Sequence, residues 1–242
     1  MRPSLRVCAL YPDLMNIYAD RGNIAVLRAR CEWRGLGFEL SESGIGEELD
    51  PTGADLFYMG GGQDRDQAAV ARDMVATKRD ALHAAAERDA VVLAVCGGYQ
   101  LLGHSYQMGS EELPGVGLVD LRTVRAEGPR LIGNCAISAE LGGDGGERVI
   151  AGFENHGGRT HLGAGEKPLG RVLSGHGNNG SDGFEGVRRR NVFGTYLHGP
   201  LLPKNVWLAD RLIETALDVE LEPLDDAFED AAHGSARRAA GV

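Results

Sequence analysis

Val91-Val92-Leu93-Ala94-Val95-Cys96-Gly97-Gly98-Tyr99-Gln100-Leu101-Leu102-Gly103 is an apolar, largely β-branched run that stops at a cysteine, crosses two glycines and resumes with helical spacing. A short apolar run bounded by glycine predicts a strand buried on both faces, as in a parallel sheet. Cys96 then falls on the turn from strand to helix. Nucleophile elbows have this layout, because the tight turn lifts the side chain out of the sheet and small neighbours let a substrate approach. The amides that open the following helix face the sulfur and favour thiolate over thiol. A buried structural cysteine is the ordinary fate of a thiol at a strand end. Gly97, Gly98 and the polar Gln100 reverse that reading here.

Upstream of this stretch, residues 5–11, 38–40 and 54–59 read as strands, and residues 23–33 and 66–88 as helices. Alternating strands and helices predict an α/β fold with a mainly parallel central sheet, whose active site lies outside the carboxyl ends of the strands. Cys96 and the glycine loop Gly60-Gly61-Gly62-Gln63-Asp64 both fall on that edge. Downstream the texture changes: residues 116–124, 131–137 and 149–153 read as strands between glycine-rich turns, which predicts extra antiparallel strands in the C-terminal half. Val192-Phe193-Gly194-Thr195-Tyr196-Leu197-His198 is one more strand ending on a polar residue, and an amphipathic helix is expected over 204–217. With no repeat and no linker, residues 1–222 are expected to form a single domain, followed by a flexible tail over 223–242.

Composition narrows the function. In 242 residues, 25% charged and 43% hydrophobic residues mark an ordinary globular protein, and the net charge of −10 argues against a nucleic-acid partner. Arg188-Arg189-Arg190 reads as solvated charge at a hairpin. No apolar run reaches the roughly 20 residues of a membrane span, and the N-terminus lacks a signal-peptide core, so a cytoplasmic location is expected. Cys8, Cys31, Cys96 and Cys135 are widely spaced without a CxxC pair, which suits a reducing compartment and neither a disulfide framework nor a zinc site.

A cysteine nucleophile needs a base. Of the seven histidines, His198 is the best placed, because it ends a strand as Cys96 does. His83, His104 and His233 fall on helices or the tail. His156 and His161 flank Gly157-Gly158-Arg159-Thr160 in what reads as a loop, with no thiol or carboxylate nearby to complete a metal site. The glycine loop at 60–64 can cradle an oxyanion with its amides but lacks the lysine and hydroxyl of a Walker loop, and Asp64 would repel phosphate. Gly175-His176-Gly177-Asn178-Asn179-Gly180 spells GxGxxG, but no helix signal follows, so it reads as a flexible turn. Arg130 is either a carboxylate clamp, through its bidentate fork, or a solvated surface residue.

Together, Gly60-Gly61-Gly62-Gln63-Asp64, Val95-Cys96-Gly97-Gly98-Tyr99-Gln100 and Gly194-Thr195-Tyr196-Leu197-His198-Gly199-Pro200 resemble the class I glutamine amidotransferases. The Cys-Gly-Gly-Tyr-Gln form points to their cobyric acid synthase-like branch. Gly152-Phe153-Glu154-Asn155-His156-Gly157-Gly158-Arg159-Thr160 and Leu197-His198-Gly199-Pro200-Leu201-Leu202-Pro203-Lys204-Asn205 look closer still to the GatD subunits of lipid II isoglutaminyl synthase.

The resemblance implies a flavodoxin-like amidotransferase domain that hydrolyses L-glutamine. A Mur-ligase-like partner of the MurT type would use the ammonia to amidate the D-glutamate α-carboxyl of lipid II in peptidoglycan biosynthesis. It implies Cys96 as nucleophile and His198 as its base. Arg130, Gly62, Gln63 and Gln100 would bind substrate, and Gly62 and Gly97 would hold the oxyanion. No cofactor or metal is expected in this chain, with ATP and Mg on the partner. One departure stands out. Many class I members place an orienting glutamate two residues after the histidine, where this chain has Gly199-Pro200, so that carboxylate is absent, elsewhere in the chain, or on the partner. Rival readings are an α/β hydrolase or peptidase, a catalytically silent regulatory subunit, and an amidotransferase for another acceptor such as a corrinoid.

Overall fold

The computed structural model describes residues 2–16, 20–141 and 146–242. Apolar β1 (Ser4–Leu10) leads to helix α1 (Arg21–Trp33), and β2 (Gly37–Ser43) pairs parallel to β1. The fully buried β3 (Leu56–Met59) pairs parallel to β1 on its other side. A long helical rod follows: α2 (Asp64–Asp73), one π turn (Met74–Lys78) and α3 (Arg79–Glu87). The π turn carries Lys78 inward, where its Nζ donates to the Gly44 and Glu47 carbonyls at 2.8 and 2.6 Å and lies 3.3 Å from Asp73. Burying an ammonium demands such partners. The fully buried β4 (Val91–Val95) then enters the sheet, and a five-residue helix α4 (Gly97–Leu101) follows Cys96.

The C-terminal half builds two smaller sheets and finishes the large one. One small sheet joins β5 (Ser105–Met108), β6 (Glu111–Pro114), β7 (Leu121–Arg125) and β10 (Gly158–Leu162). The other joins β8 (Leu131–Ala139), β9 (Arg148–His156), β11 (Gly170–Ser174) and β12 (Phe184–Glu185). The hairpin β13 (Val187–Arg189) and β14 (Val192–Thr195) returns to the large sheet, whose order is β13-β14-β4-β3-β1-β2. Leaving out the antiparallel edge strand β13, the parallel order is that of flavodoxin-like folds. A 3₁₀ turn (Leu202–Lys204) leads into α5 (Val206–Leu217), which packs on α1. No helix is long and apolar enough to cross a membrane among the described residues.

Several expectations are corrected. The strand expected to run from Val192 to His198 forms only at Val192–Thr195, and His198 lies beyond it in an isolated bridge with Phe153. The strand expected over 116–124 forms only at Leu121–Arg125; Gly117 turns at φ +69°, and Val116, Leu118 and Val119 are buried without pairing in a strand. Residues 156–161 are the end of β9 and most of β10, not a loop, with the chain changing sheets at Gly157. Residues 223–242 hold helix α6 (Ala227–Ala239), docked on the body. His233 Nδ1 meets the Lys204 carbonyl at 2.8 Å, and Asn134 Nδ2 donates to the Ala239 carbonyl at 2.9 Å. Arg30, 1% exposed, bridges Asp210 of α5 to Asp226 at the start of α6.

Asp226 thus ties the last helix to the core through a buried guanidinium. Bonds to charged groups of this kind contribute about 1.5–3 kcal/mol. Asp226→Ala is expected to speed amide hydrogen exchange throughout 227–239 by tenfold or more while β1, β3 and β4 exchange as before, read by mass spectrometry.

Candidate active site

The turn at Cys96 is strained. Its backbone sits at φ +53°, ψ −109°, a conformation that costs a non-glycine residue about 1–3 kcal/mol. Three bonds hold it: Cys96 N–H donates to the Thr195 carbonyl at 2.8 Å, Gln100 N–H to the Cys96 carbonyl at 3.2 Å, and Gly98 N–H to the Gly60 carbonyl at 3.1 Å. Gly98 must be glycine, because a Cβ there would lie 2.9 Å from the carbonyl oxygens of both Met59 and Gly60. The thiol is 7% exposed at the carboxyl end of β4. The helix behind it is only Gly97–Leu101, so its macrodipole is small, and the electrostatic help to the sulfur comes from individual amides.

The glycine loop after β3 lies beside this elbow. A Cβ on Gly97 would sit 3.2 Å from the Gly62 nitrogen, so the amides of Gly62 and Gly97 belong to one small region. Gln63, exposed, caps α2 in extended backbone, and the side chain of Asp64 lies outside what is described. Gln100, expected to touch substrate, is instead buried beneath the elbow with its amide committed. It accepts from Gln67 Nε2 at 2.7 Å and donates to the Tyr196 hydroxyl at 3.1 Å.

His198 follows the end of β14, which runs parallel to β4 with Thr195 in register with Val95. Its backbone pairs with Phe153 in both directions at 3.0 Å, and the Phe153 ring meets the imidazole edge-on with centroids 6.2 Å apart. Burial pushes the His198 pKa down to about 4, helped by the positive potential of His156, Lys204 and Arg130. At neutral pH the imidazole is therefore uncharged and able to accept a proton.

Arg130, exposed, donates from Nε to Asn155 Oδ1 at 2.8 Å and from an Nη to the Asn155 carbonyl at 2.7 Å. One edge of the guanidinium, Nε and one Nη, is thereby fixed on Asn155. His156 is the neighbour that the strand reading missed. It is buried and stacked flat on Tyr196 at 3.5 Å; its Nδ1 meets the Gly158 carbonyl at 2.8 Å, and its Nε2 lies 3.8 Å from Glu154. The sequence carries no alternation that would have placed it on a strand, because β9 reads as a continuous apolar run followed by polar residues.

The GxGxxG turn is hydrogen-bonded to the strand beside it. Glu154 accepts from the His176 and Gly177 amides at 2.6 and 2.9 Å, and no helix follows to receive a phosphate. Among the described residues, no group of three or more His, Cys, Asp or Glu side chains could hold a metal ion. The other thiols are buried, and burial raises the pKa of each: Cys8, Cys31 to about 11, and Cys135 further.

Comparison with known proteins places this geometry. The chain belongs to the CobB/CobQ-like glutamine amidotransferase domain family, which it matches over residues 6–206. It is 38% identical over 229 residues to the GatD subunit of lipid II isoglutaminyl synthase (glutamine-hydrolyzing) from Streptococcus pneumoniae, covering 92% of this chain and 86% of that one. The same-named subunit from Staphylococcus aureus is 40% identical over 207 residues, covering 85% and 82%. A cobyric acid synthase from Pelotomaculum thermopropionicum is 38% identical over 136 residues, about half of this chain and a quarter of that one. A chain in the structure of PurLQS from Thermotoga maritima shares the fold at TM-score 0.58 and 22% identity, covering 90% of this chain and 99% of that one.

The His198 environment sets a pH dependence that can be measured. Its folded pKa lies below the ordinary 6.5, so the unfolded chain binds the proton more readily, and stability falls as pH drops from about 6.5 through about 4. An NMR titration is expected to place the His198 midpoint near 4, and His156→Ala to move it upward.

Proposed function

We propose that this chain is the glutamine-hydrolysing subunit of a lipid II isoglutaminyl synthase. The observation that carries the chemistry is the strained Cys96 elbow at the end of β4, next to the strand that leads to an uncharged His198. The acceptor is inferred from the GatD relatives, which align over most of both chains.

In the proposed reaction, the Cys96 proton passes to His198 and the sulfur attacks the side-chain carbonyl carbon of glutamine. The Gly62 and Gly97 amides take the charge that develops on the oxygen; one such donor is worth about 10²–10³-fold in rate. His198 returns the proton to the departing nitrogen, releasing ammonia and leaving a thioester, an exchange worth about 10²–10⁴-fold. Water, deprotonated by His198, adds to the thioester and expels the Cys96 thiolate, giving glutamate. The outer Nη pair of Arg130 holds the α-carboxylate, and exposed Gln63 lies beside the oxyanion loop.

Ammonia in water at neutral pH is mostly protonated, so productive transfer requires a shielded path into an attached enzyme. The partner is a Mur-ligase-like synthetase that supplies ATP and Mg, activates the D-glutamate α-carboxyl of lipid II and receives the ammonia, with both subunits in the cytoplasm. A carboxylate that orients His198 on docking is one contribution such a partner can make, since Gly199-Pro200 stands where relatives of the broader class place an acid.

Cys96→Ala is expected to abolish release of glutamate from glutamine without lowering Tm. A glutamine-directed electrophile should label Cys96 ahead of Cys8, Cys31 and Cys135; equal labelling of all four would overturn the assignment. Arg130→Lys should lower kcat/KM for glutamine about tenfold, roughly 1.4 kcal/mol of lost transition-state binding. ATP- and glutamine-dependent amidation of lipid II should require the reconstituted pair, and amidation by this chain alone would refute the partner.

A further inference from the structure

Asp20 is wholly buried where α1 begins, far in sequence from either half of the site. Its Oδ2 accepts the Gly61 N–H at 3.0 Å, and a Cβ on Gly60 would lie 3.0 Å from the same oxygen. Its backbone carbonyl accepts the Tyr58 hydroxyl at 3.2 Å, so β3 and the loop that follows it are held by one residue. Asn23, one turn on and also fully buried, donates from Nδ2 to that same Tyr58 hydroxyl at 2.9 Å. Its Oδ1 accepts the Leu202 N–H at 2.8 Å, four residues past His198. Between them, a Cβ on Gly22 would strike the Pro200 ring at 2.7 Å. The start of α1 therefore grips the glycine loop with one hand and the turn after His198 with the other.

We propose that Asp20 is a positioning residue for the oxyanion-binding amides: by holding the Gly61 N–H it turns the next amide, Gly62, toward Gly97 and Cys96, while Asn23 ties the His198 turn to the same frame. Consecutive amides in a tight loop do not all face one way, so engaging Gly61 from behind decides where Gly62 points. The carboxylate gains little stability from this task. Its Oδ1 has no hydrogen-bond partner among the described residues, and burial pushes its pKa up to about 7 against the pull of the Gly61 amide. A buried acid with one bond is a costly way to fill space. It is an effective way to fix one amide.

This inference rests on the glutaminase reading for its kinetics, but not for its structural half. In Asp20→Ala, the Gly61 and Gly62 amides should exchange with solvent at least tenfold faster by NMR, with β3 and β4 unchanged. Asp20→Asn keeps an acceptor and should restore slow exchange. If Asp20→Ala does not fold, Asp20→Ser, whose hydroxyl stops short of Gly61, carries the same comparison. For glutamine hydrolysis, kcat should fall about 10–100-fold with KM within about twofold, short of the loss from deleting a donor outright. Alkylation of Cys96 by iodoacetamide, which needs no oxyanion site, should keep its rate, and Asp20→Asn should recover most of kcat. Unchanged exchange at Gly61 and Gly62, or a parallel loss of kcat, alkylation and Tm, would overturn the assignment. Absence of glutaminase activity in the unmodified chain would defeat the glutaminase reading instead, while the exchange comparison would still decide the clamp.

Discussion

The fold is arranged around the left-handed backbone at Cys96. A cysteine at φ +53° is tolerated only if its surroundings fix it more strongly than the roughly 1–3 kcal/mol it costs. The means are visible on both sides. β14 supplies the carbonyl that receives the Cys96 amide, and the β3 loop supplies the carbonyl that receives Gly98. Both neighbours must be parallel to β4 and end at the same level, which the order β14-β4-β3-β1-β2 provides. The same order brings the glycine loop and His198 to that level.

Beneath the elbow, one hydrogen-bonded chain joins the large sheet to a smaller one. Gln67 Nε2 reaches the Gly97 carbonyl at 3.3 Å and Gln100 at 2.7 Å; Gln100 reaches Tyr196, and the Tyr196 hydroxyl meets Thr160 at 2.6 Å, which meets Thr123 at 2.7 Å. All five residues are buried. A satisfied buried network gives modest net stability but strong specificity of arrangement, because any slippage strands several polar groups at once. Gly158 is part of that fit: a Cβ there would come within 2.5 Å of Gln100 Nε2. The elaborated C-terminal half is thus bonded into the platform that carries the nucleophile.

The parallel core and the strand end bearing Cys96 were legible in the sequence, because apolar runs broken by glycine are local signals, whereas the strand expected to end on His198 stops at Thr195. What stayed hidden depended on contacts distant in the chain. His156 sits among Gly157 and Gly158, which read as loop, yet β9 passes straight into β10 of another sheet. Gln100 reads as a polar residue beside a nucleophile, and only the fold shows that Gln67, 33 positions away, occupies its amide. The last helix carries no fully buried residue and so lacks the apolar stripe that announces a docked helix; charge holds its start, through Arg30. Asp20 gave no sign at all, since its partner is a backbone amide 41 residues on.

Electrostatics sets the order in which the site can act. The neighbours that shift His198 after burial itself, His156, Lys204 and Arg130, all oppose a positive imidazole. In the unliganded chain, moving the Cys96 proton onto His198 therefore creates an imidazolium in a buried, electropositive place, which holds back the ion pair that makes a reactive thiolate. On the proposed reading, glutamine changes this balance as it binds, because its α-carboxylate cancels the charge of Arg130, one of the three groups disfavouring the imidazolium. On that reading the oxyanion that forms next is negative too, and it is compensated by the amide dipoles of Gly62 and Gly97. Arg130, on the same reading, disfavours the imidazolium before binding and ceases to do so once the substrate carboxylate neutralises it. The proposed substrate carboxylate thus eases formation of an imidazolium that the unliganded site disfavours.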